Sequence, residues 1–135
     1  MLRPLAVLLV AIMCAGCAGV AAPACGLGQA MVETQLYFGM SKPSGALVSE
    51  REWQAFVAAE ITPKFPEGFS VLDGAGFWRD AKTQKTISEK SKVVVRMHAA
   101  GSGANAEIGA IVTAYKTQFQ QDAVMRVDRP VCAQF

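Results

Sequence analysis

The sequence predicts an α+β fold, a ferredoxin-like βαββαβ sandwich that follows an N-terminal export signal. Four segments have the period-two alternation or the β-branched content of strands, and two have apolar residues at helical spacing. Their order along the chain is strand, helix, strand, strand, helix, strand. With right-handed crossovers, this order predicts a four-stranded antiparallel sheet, order 4-1-3-2, with two helices on one face.

The first strand is predicted over residues 33–40, where apolar and polar side chains alternate. The apolar side carries Leu36, Phe38 and Met40, and the polar side carries Glu33, Gln35 and Tyr37. This pattern indicates a half-buried strand whose apolar side packs against the helices.

The first helix is predicted to begin at a capping box, in which Ser49 and Glu52 satisfy each other's free backbone N–H groups. Val48 and Trp53 occupy the two positions of a hydrophobic staple. Apolar residues then follow at helical spacing until Pro63, which ends the helix.

The second strand is predicted over residues 69–79 and the third over residues 92–99. Gly74 and Gly76 indicate a bulge or bend inside the second strand, and the polar residues 80–91 indicate a hairpin connection. Asn105 is expected to cap the second helix, which carries an apolar stripe. The last strand is predicted over residues 123–127, with Pro130 ending it.

Residues 1–16 are predicted to be a signal peptide, because Arg3 precedes an apolar run at residues 5–15 and a stretch rich in glycine and alanine. The strongly apolar part is shorter than the roughly 20 residues of a membrane-spanning helix. An uncleaved anchor remains the alternative. The prediction is an exported protein of the cell envelope, either lipid-anchored or periplasmic and secreted.

Two cleavage sites compete. Residues 14–17 resemble a lipobox, with Cys17 as the lipidated first residue of the mature protein, although Cys14 stands where leucine is usual. Residues 22–24 are an A-x-A site for ordinary signal peptidase, which would remove residues 1–24. If Cys17 is lipidated, residues 17–30 are predicted to form a short tether and residues 31–135 the domain. The lipid would then anchor the protein to the membrane.

The charge balance and the cysteine content narrow the classes of function open to this chain. The chain carries 13 basic and 11 acidic residues, so it has no basic surface for nucleic acid. Cys25 and Cys132 lie near the two ends of the mature chain, and in an oxidising compartment they are predicted to form a disulfide. Two free thiols or a metal half-site are the alternatives. Without a Cys-x-x-Cys motif and with a single histidine, we expect no metal and no cofactor.

The sheet face opposite the helices is the candidate site. Its predicted residues are Glu33, Gln35, Tyr37, Val94, Arg96, His98, Arg126 and Asp128, with Trp78 or Arg79 beside them. This face is solvated, pairs with a second copy, or binds a ligand. In the last case the ligand-binding candidates are Trp78, Arg79 and Arg126, with arginines pairing an anionic group and an aromatic ring stacking.

Tyr37, Arg96 and His98 are the catalytic candidates. His98 is the single histidine and could move protons near neutral pH, or it is simply a surface strand residue. The sequence lacks the nucleophile-elbow, zinc-protease, P-loop and dinucleotide motifs. The third strand also lacks the aromatic signature of RNA-binding domains.

Three segments resemble a family of small secreted bacterial proteins, the domain of unknown function 3574. They are TQLYFGMSKP, SEREWQAFVAAEITPKFPEGFSVLDGAGFWRD and AYKTQFQQDAVMRVDRPVCAQF, and the resemblance spans about residues 30 to 135. Family members show Thr-Arg-Leu or a near variant where this chain has Gln35 between Thr34 and Leu36. The resemblance implies the domain limits and the envelope location, and it implies no activity.

The leading functional hypothesis is a non-catalytic envelope lipoprotein that acts as a binding or interaction module through its sheet face. The alternative is a small dimeric α/β-barrel enzyme that works through Tyr37, Arg96 and His98. A homodimer through the sheet face is compatible with both hypotheses, and neither identifies the ligand.

Overall fold

The computed structural model describes residues 24–135. The predicted signal peptide and Cys17 lie outside these residues. The strands are β1 (Gln29–Gly39), β2 (Ser70–Arg79), β3 (Thr86–His98) and β4 (Met125–Ala133), and the helices are α1 (Glu50–Phe56) and α2 (Ala104–Phe119). A π-helical turn, Val57–Ile61, continues α1. The strands form one antiparallel sheet in the order β2-β3-β1-β4, which confirms the predicted fold class and strand order.

The core lies between the sheet and the two helices, and Phe38 is at its centre. The Phe38 ring is fully buried, and its centroid lies 4.7 Å from that of Tyr115 and 5.4 Å from that of Trp53. Such tilted and edge-to-face contacts are favoured between aromatic rings. The Tyr115 hydroxyl donates to the Gly39 carbonyl oxygen at 2.8 Å, so this buried polar group is satisfied.

The predicted start of the first helix is confirmed. The Ser49 hydroxyl oxygen accepts from the Glu52 backbone N–H, and the Glu52 carboxylate accepts from the Ser49 backbone N–H at 2.8 Å. Val48 and Trp53, the two staple residues, are both buried. Local sequence signals therefore fix this helix end.

The prediction of a bulge in the second strand was wrong. Every residue of β2 pairs with one residue of β3, from Ser70 opposite Val95 to Arg79 opposite Thr86. Gly74 accommodates a neighbour instead of bending the strand, because a Cβ there would lie 2.8 Å from the Ser91 hydroxyl oxygen. Half of the predicted hairpin connection, residues 86–91, belongs to β3.

Two element ends also differ from prediction. The N-cap of α2 is Gly103, with φ at +72°, and the Asn105 side chain accepts a hydrogen bond from Arg126 at 2.6 Å instead of capping the helix. Pro130 lies inside β4 and pairs with Val32 of β1. β4 is an edge strand, which can hold a proline because only one of its sides needs backbone hydrogen bonds.

Both ends of the domain meet at one place. Cys25 and Cys132 form a disulfide with their Cα atoms 5.6 Å apart, as predicted. β1 begins at Gln29, within the predicted tether. Within residues 24–135, neither helix is long and apolar enough to cross a membrane.

Candidate functional site

The sheet face away from the helices, which we call the open face, is defined by the strand register. Side chains directly opposite one another in antiparallel strands share a face. Tyr37 of β1, on the polar side of that strand, is opposite Val93 and Met125, and Val93 is opposite Leu72. The next row of the open face consists of Val127, Gln35, Val95 and Ser70.

These two rows make the open face apolar. Leu72 and Met125 are each 55% exposed, and Val127 is 40% exposed. An antiparallel sheet with one solvated face normally places polar side chains there. Here Val93 and Val95 of β3 and Met125 and Val127 of β4 face away from the helices.

A row of hydrogen-bonded polar side chains crosses this apolar surface along β1. Arg129 pairs with the buried Glu33 carboxylate at 2.7 Å, and Gln35 donates to the same carboxylate oxygen at 2.6 Å. The Tyr37 hydroxyl donates to the Gln35 side-chain oxygen at 2.5 Å. Hydrogen bonds from Arg129 and Gln35 hold the pKa of Glu33 below its ordinary value. The prediction that Glu33, Gln35 and Tyr37 share this face is confirmed.

The predicted positions of Val94, Arg96 and His98 on the open face were wrong. The register places Val94 opposite Leu36 and Arg96 opposite Thr34, so these β3 residues face the helices. Arg96 finds its partner there, because its Nη1 lies 2.8 Å from the Glu107 carboxylate of α2. Its guanidinium also lies over the Phe65 ring, 4.2 Å from the centroid.

Arg126 and Asp128 were likewise assigned to the wrong face. They lie opposite Leu36 and Thr34 and pair with each other at 2.9 Å on the helix side. Among the remaining ligand-binding candidates, Trp78 is on the open face, whereas Arg79 alternates to the other face and donates to the Gln84 carbonyl oxygen at 3.2 Å.

His98 belongs to a buried network on the helix side. Its Nε2 is 2.9 Å from the Thr34 hydroxyl oxygen, and that hydroxyl donates to Asp128 Oδ1 at 2.5 Å. Because the single hydroxyl hydrogen goes to Asp128, Nε2 must donate to Thr34. Nδ1 lies 3.1 Å from the Ala99 carbonyl oxygen, which can only accept.

An ionised Asp128 completes this network. Burial raises the pKa of Asp128, but hydrogen bonds from Thr34 and Arg126 outweigh burial and hold the pKa below its ordinary value. Thr34 is 1% exposed, so its hydroxyl is not open to solvent. The network links β1, β3 and β4 through Thr34, His98 and Asp128, an arrangement suited to holding strands together rather than to nucleophilic attack.

A second feature of the open face is a cleft of about 510 Å³ at the end of the sheet where Tyr37 lies. Tyr37, Trp78 and Met125 line it, together with the carboxylates of Glu89 and Asp122. We call this the aromatic cleft. Sequence reasoning missed Glu89 and Asp122 as site residues, since the polar residues around Glu89 were assigned to a hairpin connection.

Glu89 is held in place by the backbone of the strand and loop beside it. Its Oε1 accepts a hydrogen bond from the Ser41 backbone N–H at 2.9 Å. A Cβ at Gly39 would lie 2.8 Å from the same oxygen, so a glycine leaves room for the carboxylate. Among residues 24–135, no cluster of histidine, cysteine or acidic residues could hold a metal ion.

Comparisons with known proteins identify the fold and the family. Phage SAM lyase in complex with S-methyl-5'-thioadenosine is 12% identical with a TM-score of 0.56, covering 79% of this chain and 93% of that chain. Phage SAM lyase in the apo state is 13% identical with a TM-score of 0.55, covering 81% and 94%. At this identity the likeness shows the fold alone. No curated protein matches the chain. Residues 33–135 match the model of the family described as protein of unknown function (DUF3574), and the chain belongs to that family.

Proposed function

We propose that this chain is an exported, lipid-anchored binding module of the cell envelope, and that its open face pairs with a second copy. One observation carries the proposal. On β3 and β4, Val93, Val95, Met125 and Val127 face away from the helices, whereas Arg96 and Arg126 face towards them. An exposed apolar surface of this kind is characteristic of an interaction site.

The size of the open face suits a dimer. Four strands spaced about 4.8 Å apart and about 34 Å long, the length of the 11-residue β1, give a flat area of about 650 Å². Two copies would therefore bury about 1,300 Å², within the range of about 1,200–2,000 Å² for stable protein interfaces. A face-to-face pair with two-fold symmetry would use the same patch on both copies.

The hydrogen-bonded polar row along β1 is compatible with burial. Glu33 is paired with Arg129, and Gln35 donates to Glu33 and accepts from Tyr37. Burying polar groups that are already hydrogen-bonded costs much less than burying unpaired ones. The row can therefore enter an interface without leaving a charge unpartnered.

The positions of the catalytic candidates favour binding over catalysis. The alternative enzyme needed Tyr37, Arg96 and His98 around one substrate. Tyr37 is on the open face, whereas Arg96 and His98 are buried on the opposite side with partners of their own. The disulfide between Cys25 and Cys132 supports an oxidising, extracytoplasmic location.

Sedimentation velocity of the purified protein tests the dimer. We expect the wild type to sediment as a dimer at micromolar concentration and Leu72→Lys to sediment as a monomer, because the interface would bury an unpaired ammonium. Val71→Lys is the matched control, since Val71 is the exposed neighbour on the opposite face of β2 and should leave the dimer intact. A monomeric wild type, or equal dissociation by both variants, would contradict the proposal.

Fold likeness supports a second candidate, a nucleoside-binding role for the aromatic cleft. The similar phage SAM lyase is solved with S-methyl-5'-thioadenosine, and Tyr37 and Trp78 offer ring faces on which a purine could stack. This candidate predicts that S-methyl-5'-thioadenosine releases or absorbs heat in a calorimetric titration and that Trp78→Leu abolishes the signal. The absence of binding at millimolar ligand would exclude it.

A further inference from the structure

We propose that the aromatic cleft binds a small organic cation with an alkylated ammonium head. The inference deepens the proposed function by naming a ligand class for one end of the open face. Every residue that lines the cleft belongs to a single copy. The cleft is therefore complete within one copy, although Tyr37 and Met125 also belong to the open face and would be covered if two copies pair face to face.

Glu89 and Asp122 give the aromatic cleft negative charge. Within residues 24–135, neither Glu89 nor Asp122 forms an ion pair with a lysine or arginine. Lys42 also lines the cleft, but its ammonium lies 2.7 Å from the Glu52 carboxylate. The cleft therefore presents carboxylate charge that this part of the chain does not neutralise, and such charge attracts a cation.

The same cleft is lined by aromatic side chains. Tyr37 and Trp78 line the same cleft as Glu89 and Asp122, and Met125 adds a polarisable apolar wall. Ring faces attract ammonium groups, and quaternary ammonium groups are typically recognised in this way. The volume of about 510 Å³ falls within the range of small-molecule sites.

The walls of the cleft are held by hydrogen bonds. The Gln121 side chain donates to the Ser41 carbonyl oxygen at 2.8 Å, which ties the loop after α2 to the loop after β1. The Tyr37 hydroxyl is fixed by Gln35, and the Glu89 carboxylate is fixed by the Ser41 backbone N–H. A site held in this way loses little conformational freedom when a ligand binds.

The test compares choline with its neutral carbon isostere, 3,3-dimethylbutan-1-ol. Ligand is titrated into the ¹⁵N-labelled protein while the indole N–H signal of Trp78 is followed, with the buried Trp53 as an internal reference. We expect choline to shift the Trp78 signal and to bind about tenfold or more tightly than the isostere. We expect Glu89→Gln to weaken choline binding by a similar factor and Glu67→Gln, an exposed glutamate that does not line this cleft, to have no effect.

Equal binding of choline and the isostere, or no shift of the Trp78 signal at saturating choline, would overturn the inference. Leu72→Lys separates this result from the dimer, because Leu72 does not line the cleft. Choline binding by a monomeric Leu72→Lys variant would support the cleft on its own. A monomeric Leu72→Lys variant that does not bind choline would refute the cleft, and a dimeric wild type would then leave the proposed dimer standing.

Discussion

Phe38→Ala is expected to lower the free energy of unfolding by about 3–5 kcal/mol, the cost of truncating a fully buried aromatic side chain. Phe38 contacts three other buried rings, and the Phe56 centroid lies 6.2 Å away in addition to those of Trp53 and Tyr115. Truncation would therefore leave a cavity at the junction of the sheet and both helices. Urea denaturation at a fixed protein concentration measures the loss, since dimerisation makes stability depend on concentration.

Phe77→Ala is the control for this prediction. Phe77 is 69% exposed, so its truncation creates no cavity, and we expect a change within about 0.5 kcal/mol. A loss below about 1 kcal/mol for Phe38→Ala, or similar losses for both variants, would show that the aromatic cluster is not the centre of the core.

Removing the disulfide is expected to cost about 2–5 kcal/mol, the range for native disulfides of small secreted domains. The bond joins residues 107 positions apart, so it restricts the unfolded chain over almost its whole described length. It also ties the segment just before β1 to the end of β4, and these two strands are paired. Guanidinium denaturation of Cys25→Ser, Cys132→Ser and the double variant measures the loss.

The three variants should lose the same amount, because either substitution alone removes the bond. A reductant should bring the wild type to the same stability and leave the double variant unchanged. Additive losses, or a wild type that is insensitive to reductant, would contradict a stabilising role for this bond.

Local signals predicted the architecture well. The capping box at Ser49 and the clean alternation around Phe38 both depend on neighbours in sequence, so they could be interpreted without the fold. Asn105 shows the limit of such signals. Its side chain is a good cap on its own, but Arg126, 21 residues away in sequence, takes the carbonyl oxygen instead.

The face assignment of β3 failed for a physical reason. Val93 to Val95 form a continuous apolar run, so only Arg96 and His98 were left to indicate the solvent side. Both have buried partners on the helix side, Glu107 for Arg96 and Thr34 for His98, and no sequence pattern shows such distant pairs. Val93, Val95 and Met97 then fall on the open face.

The apolar side chains of β3 on the open face are also the strongest indication of function in the domain. Val93 and Val95 of β3 point away from the core, which is consistent with a second apolar surface that another molecule covers. The aromatic cleft could be predicted only in part. Tyr37 and Trp78 were identified from the sequence, whereas Glu89 enters the site because β3 extends to Thr86.

The most direct test of an interface at the open face is an isotope-filtered nuclear Overhauser experiment on mixed labelled and unlabelled copies. We expect contacts between copies from the methyl groups of Val127 and Leu72 to the Tyr37 ring, because these residues form adjoining rows of the open face. An absence of contacts between copies, or contacts that arise only from helix-side residues such as Val71, would contradict it.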